Sequence, residues 1–132
     1  MASELRITTL ANNAGTESVD TTYVINGSAK AWVNFDSTST LTAWDSFNIS
    51  SFTDLNTGQH RLSFSNSMNN TGYSHVGGSN VTTARNTYKG YGGVATTYNI
   101  TTSSFDMFCS SHYHNTSDDG TDNTAFINGD LA

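Results

Sequence analysis

The side chains able to do chemistry in this chain are few and scattered. His112-Tyr113-His114 sets two imidazoles at i and i+2, and an extended backbone turns such a pair to one side. His112 and His114 are therefore the candidate metal ligands. The pair stands where a strand passes into a polar loop, so a solvated surface pair is the simpler expectation. Asp118-Asp119-Gly120-Thr121-Asp122 has the acids of a calcium loop without its spacing or closing glutamate, which predicts a solvated turn. Cys109 is the single cysteine. It excludes an intrachain disulfide and a cysteine-based zinc cluster, and its place in an apolar alternation predicts a buried, inert thiol. No G-x-S-x-G elbow occurs, and the acids lie mainly in turns rather than as a pair set for glycoside cleavage. His60 and His75 stand alone and read as structural histidines, satisfied or exposed. The inventory predicts a protein that is not an enzyme and uses no cofactor.

Binding is the better-supported chemistry. Tyr73, Arg85, Asn86, Tyr88 and Tyr91 fall in one segment spaced by glycines. Tyrosine offers broad contact area at low entropic cost, and Asn and Arg add adaptable hydrogen bonds. Loops on a rigid β scaffold are where binding residues concentrate. The same glycines would equally let the segment pack against a neighbouring subunit, and both readings stand. Trp32 and Trp44 fall on the polar parity of their strands, which predicts that they face a subunit partner. The net charge is −6 and there is no basic run, so nucleic acid is not an expected partner. No apolar run approaches the ~18 residues of a spanning helix, so no membrane insertion is expected. The opening Met1-Ala-Ser-Glu-Leu-Arg6 has no apolar stretch behind it, which predicts folding in a reducing cytoplasm.

Strands have to hold these residues. Ser, Thr and Asn make up about two-fifths of the chain and charged residues only 12%, a composition that would read as disordered if aromatics were scarce. Seven Phe, six Tyr and two Trp recur instead inside Val-, Ile- and Thr-containing runs, as in half-buried strands. Alternation replaces helical periodicity throughout. Leu5, Ile7 and Thr9 alternate, and Thr22–Ile25 is a second extended piece before an Asn26-Gly27 turn. Ala29, Ala31, Val33 and Phe35 share an apolar face, continued by Leu41, Ala43, Phe47 and Ile49 and broken at Asp45, the mark of a bulge or an edge. Leu55–Gly58 is a hairpin turn, after which His60, Leu62 and Phe64 share a side. Residues 66–93 read as loop, with short extended pieces near Tyr73–Val76 and Val81–Ala84. Val94–Ile100, Phe105–Cys109 and Thr124–Ile127 restore strands. The pattern predicts an all-β, antiparallel, jelly-roll-like β-sandwich over residues 29–132, preceded by a short extended N-terminal attachment arm over residues 1–28. Its core is thin for the length, so association is expected to supply burial.

Ala29-Lys-Ala-Trp-Val-Asn-Phe-Asp36, then Asp45-Ser-Phe-Asn-Ile-Ser-Ser-Phe-Thr-Asp54, then Thr57-Gly-Gln-His-Arg-Leu-Ser-Phe64 and Ser67-Met68, resemble a domain of tail-fibre and related virion proteins of tailed bacteriophages, frequent in marine and cyanobacterial phages. Thr101–Phe105 and Ala125–Ile127 are similar to that family's last two strands, and Met1–Ile7 to the start of many fibre proteins. The clear part covers about a third of the chain. The resemblance implies a homotrimeric virion structural subunit, made in the host cytoplasm, at a tail fibre or receptor-binding tip. Its arm would dock on other virion proteins, and its loops would meet a host-surface glycan or receptor. The alternative within the same resemblance is a capsid decoration (cement) protein on the phage head. By analogy with fibres that carry paired His-x-His motifs, His112 and His114 of three chains would surround one octahedral metal ion.

Overall fold

The structure, a computed structural model, describes residues 5–80, 92–94, 96–111, 116–117 and 119–132. The chain starts with a hairpin, β1 (Thr9–Ala11) against β2 (Ser18–Asp20), and a seven-residue helix, α1 (Thr21–Gly27). There follow β3 (Ala31–Asp36), β4 (Thr42–Phe47), β5 (Ile49–Asn56), β6 (Gln59–Phe64), β7 (Ser74–Asn80), β8 (Gly92–Val94), β9 (Thr96–Tyr98) and β10 (Ser104–Phe108). A ribbon of β11 (Ser110–Ser111) with β12 (Thr116–Ser117) precedes the last strand, β13 (Asp122–Asn128).

Two antiparallel sheets pack against each other, a five-stranded β4-β3-β13-β7-β8 and a four-stranded β5-β6-β10-β9. The expected all-β sandwich is the fold. Successive hairpins go alternately to the two sheets, and β13 returns between β3 and β7. Period-two alternation builds the core between them. Ala31, Val33 and Phe35 of β3 and Ala125 and Ile127 of β13 face Leu62 and Phe64 of β6 and Phe105 and Met107 of β10, all buried. Phe35 meets Phe52 across the sheets with ring centroids 5.3 Å apart, a tilted contact of the kind aromatic pairs prefer.

β4 is an edge strand, and its register against β3 slips between Asn34 and Phe35. The interruption at Asp45 is thus both a bulge and an edge. Trp44 is the extra residue. Past the slip the parity reverses: Ala43 lies opposite buried Phe35, whereas Phe47 lies opposite Trp32 on the outer face. The expected continuous odd-numbered apolar face therefore ends at the bulge. Asn48 then turns the corner into β5 in the left-handed region, φ 59°. Its Oδ1 accepts from Asn66 N at 2.7 Å and its Nδ2 donates to Asn66 O at 3.0 Å.

Two segments differ from expectation. Residues 66–93, read as loop with a short extended piece near Tyr73–Val76, contain the longer, seven-residue strand β7. Glycine is a strand breaker on its own, but Gly77 and Gly78 pair with Ala125 and Thr124 of β13. A strand paired along a central neighbour is held by its ladder, which overrides local propensity. The arm is the second difference. Thr22–Ile25, expected to be extended, is helical, because the Asp20 side chain caps α1 by accepting from Thr22 N at 2.7 Å. That cap outweighs the weak helix propensity of Thr22, Val24 and Ile25. The Asn26-Gly27 turn becomes the end of the helix.

Candidate functional site

On the outer face of the five-stranded sheet the register assembles one apolar row. Phe47 stands opposite Trp32, Trp32 opposite Phe126, and Phe126 opposite Val76. Directly opposed side chains lie ~5 Å apart at Cβ, so the four form a continuous band across four strands. It faces water: Phe126 is 50% exposed, Phe47 52% and Val76 69%, with Trp32 half-buried among them. Trp44, 58% exposed, stands at the bulge on the edge of the same sheet. The charged side chains on this face are acids: Asp45 opposite Asn34, then Asp36 and Asp122 by parity. Among the described residues of β3, β4, β7, β8 and β13 there is no Lys or Arg.

The outer face of the four-stranded sheet is built the other way. Asp106 lies between Arg61 and Tyr98 in the ladder. Arg61 Nε donates to its Oδ1 at 2.6 Å, Arg61 Nη2 to its Oδ2 at 2.9 Å, and Asn99 Nδ2 to Oδ2 at 2.8 Å. The Arg61 hydrogen bonds hold the Asp106 carboxyl below its ordinary range against the opposing effect of its burial. A face closed by such a bidentate network meets water without needing a cover. The apolar row does not.

The arm is the second uncovered apolar surface. Leu5, Ile7, Leu10, Val19, Tyr23 and Ile25 are all exposed, and α1 buries no residue. Its root is fixed to the body. Lys30 N donates to Ile127 O at 2.7 Å, and Lys30 Nζ donates to Ile25 O and, at 3.1 Å, to Ser28 O. The arm thus leaves the sandwich two residues before Trp32.

The opposite end of β3 holds a buried polar cluster. Asn123 Nδ2 donates to Gly120 O at 2.9 Å and Ser37 Oγ at 3.0 Å, and Ser79 Oγ donates to Asn123 Oδ1 at 2.5 Å. A Cβ at Gly120 would collide with Asn123 Oδ1 and sit 2.6 Å from Ser79 Oγ. Beside it, Asp119 Oδ1 accepts from Gly58 N at 2.7 Å and lies 3.6 Å from His60 Nε2. The expected solvated turn at 118–122 is, over its described residues 119–122, a packed corner, because Gly120 lets the backbone close onto β3. His60 is fully buried edge-on to Phe35, and neither ring nitrogen has a hydrogen-bond partner. It is neither satisfied nor exposed. Burial lowers its pKa, against Asp119 and Asp54, which act to raise it. Cys109 is fully buried and its thiol is pushed up to about 11 by that burial. It follows β10 rather than lying inside a strand.

Of the residues singled out from sequence, Trp32 and Trp44 stand at the exposed outer sheet. Tyr73 does not belong to a recognition surface. It is buried, with its hydroxyl donating to Thr101 O at 3.1 Å and Ser104 O at 3.3 Å and its ring edge-on to Phe64. Burial pushes its pKa up to about 12. An aromatic just before a strand packs into a sandwich as readily as a loop tyrosine faces water, and parity alone does not separate the two. Arg85, Asn86, Tyr88, Tyr91, His112, His114 and the piece Val81–Ala84 lie outside the described residues. Among the described residues, no group of three or more His, Cys, Asp or Glu is placed to hold a metal. Sequence reading missed the partners of Trp32. Phe126 carries the same off-parity signal as the tryptophans, being apolar between Ala125 and Ile127, but Phe47 reads as core until the bulge is known. No family model, curated protein or solved structure matches the chain.

Proposed function

We propose that this chain is a structural subunit of a tailed-bacteriophage virion, a homotrimer at a tail fibre or receptor-binding tip that works by association rather than catalysis. The observation that carries the reading is the contrast between the two outer faces. One is closed by the Arg61–Asp106 network, and the other leaves Phe47, Trp32, Phe126 and Val76 in water. An exposed aromatic band of this kind marks a protein interaction surface. The sequence segments that resemble fibre domains supply the setting. Arg85, Asn86, Tyr88 and Tyr91 remain the proposed contacts to a host glycan or receptor.

A capsid decoration subunit is the second reading. The exposed hairpin and helix favour it, since such an arm suits a clasp on a neighbouring shell protein. Electron microscopy of particles labelled with an antibody to this chain tests both. Label at the tail tip supports the first reading, label over the head supports the second, and unlabelled particles would remove both.

A further inference from the structure

We infer that the arm of one copy of this chain covers the apolar row of the next. The inference rests on the reading of the chain as a self-assembling subunit and names the surfaces that join. A hairpin of three residue pairs and a helix of seven residues, with no residue buried in that helix, is below the size that holds its shape unaided. It needs a cover, and so does the row. Two unlike apolar surfaces on one chain are the two halves of a head-to-tail contact, which closes into a ring when the rotation permits. A twofold exchange of arms would cover both surfaces as well, whereas a row-on-row contact would use one surface twice and leave the other bare.

Area is consistent with this pairing. Trp44, Phe47 and Phe126, each about half exposed, offer roughly 300 Å² from rings of about 150–250 Å². Val76, Trp32 and the arm's own side chains bring the joint burial toward the ~1,000 Å² that a specific interface requires. The Lys30 clamp on Ile25 O and Ser28 O fixes the arm at its root, and the exposure of Phe47, Phe126 and Val76 leaves the row open to a neighbour's arm.

The test is sedimentation of three full-length chains: the natural one, a row variant Val76→Glu/Phe126→Glu, and an arm variant Leu5→Asp/Ile7→Asp. All substituted side chains are exposed, and unchanged circular dichroism verifies folding. The natural chain is expected to form a closed oligomer, and each variant alone to associate at least 100-fold more weakly. An equimolar mixture of the two variants is expected to form one-to-one dimers, the intact arm of one on the intact row of the other. Self-association of the arm variant alone would overturn the inference in favour of a row-on-row contact. An undiminished oligomer in the row variant would overturn it in favour of another surface. A monomeric natural chain would assign the arm to its own row or to another protein, and absence of the mixed dimer would also overturn it. These outcomes are independent of the particle labelling: a trimer missing from particles removes the virion reading alone, and labelled particles carrying single copies remove this one alone.

Discussion

Trp32 and Phe126 stand directly opposite each other on β3 and β13 and both face out of the sandwich. A cross-strand aromatic pair contributes about 0.2–1 kcal/mol to its sheet. Burial against another chain would add more, at roughly 25 cal/mol per Å² of apolar area. Phe126→Ser is therefore expected to lower the stability of the dilute chain by no more than about 1 kcal/mol while weakening association at least tenfold. Urea unfolding at low concentration and sedimentation at high concentration check the two halves. A large loss of stability with unchanged association would assign the pair to the fold alone.

Tyr73 behaves oppositely. Its hydroxyl donates to the backbone of Thr101 and Ser104 and so ties the start of β7 to the other sheet. Tyr73→Phe keeps the ring and leaves those bonds unmade, at a cost of about 1 kcal/mol. It is expected to lower the urea midpoint without changing adsorption to host cells. Tyr88→Ala/Tyr91→Ala is expected to do the reverse, reducing adsorption with the midpoint kept.

His60 makes stability depend on pH. Its folded pKa lies below the ordinary 6.5 because burial disfavours the cation more than Asp119 and Asp54 favour it. The unfolded chain then binds the proton more readily, so stability falls as pH drops from about 6.5 toward the folded value. His60→Leu removes both orphaned nitrogens. It is expected to match or exceed the natural chain by about 1 kcal/mol at pH 7 and to show a flatter melting-temperature profile as pH falls below about 6.5. An unchanged slope would place the titration elsewhere.

Gly120 is required by close approach. Gly120→Ala would drive a methyl group against Asn123 Oδ1 and Ser79 Oγ, at a cost of about 1–3 kcal/mol. Gly27→Ala is the control, since it meets nothing within 4 Å at the end of α1. It is expected to be neutral or slightly stabilising in the same urea unfolding experiment.

The sandwich was legible in the sequence because alternation is a local signal: Ala31/Val33/Phe35 and His60/Leu62/Phe64 show their inner faces directly. The parity of Trp32 also placed it outside the core. The row was only half legible, because Phe47 changes side at a bulge that depends on pairing with β3, and Val76 joins only through β7. The start of β7 was legible as the extended piece near Tyr73–Val76, but its continuation was hidden by Gly77 and Gly78, whose strand conformation comes from β13 rather than from their own preference. The helix α1 was hidden by β-branched residues that a single cap at Asp20 overrides. The burial of Tyr73 and the orphaned nitrogens of His60 are tertiary facts, and no spacing in the sequence encodes them.

Assembly of this chain with itself is tested most directly by its mass in solution. Sedimentation equilibrium of the full chain at micromolar concentration is expected to give three times the 14.2 kDa chain mass. A folded species of 14.2 kDa persisting across that range, with the Trp32–Phe126 row still open to water, would contradict it.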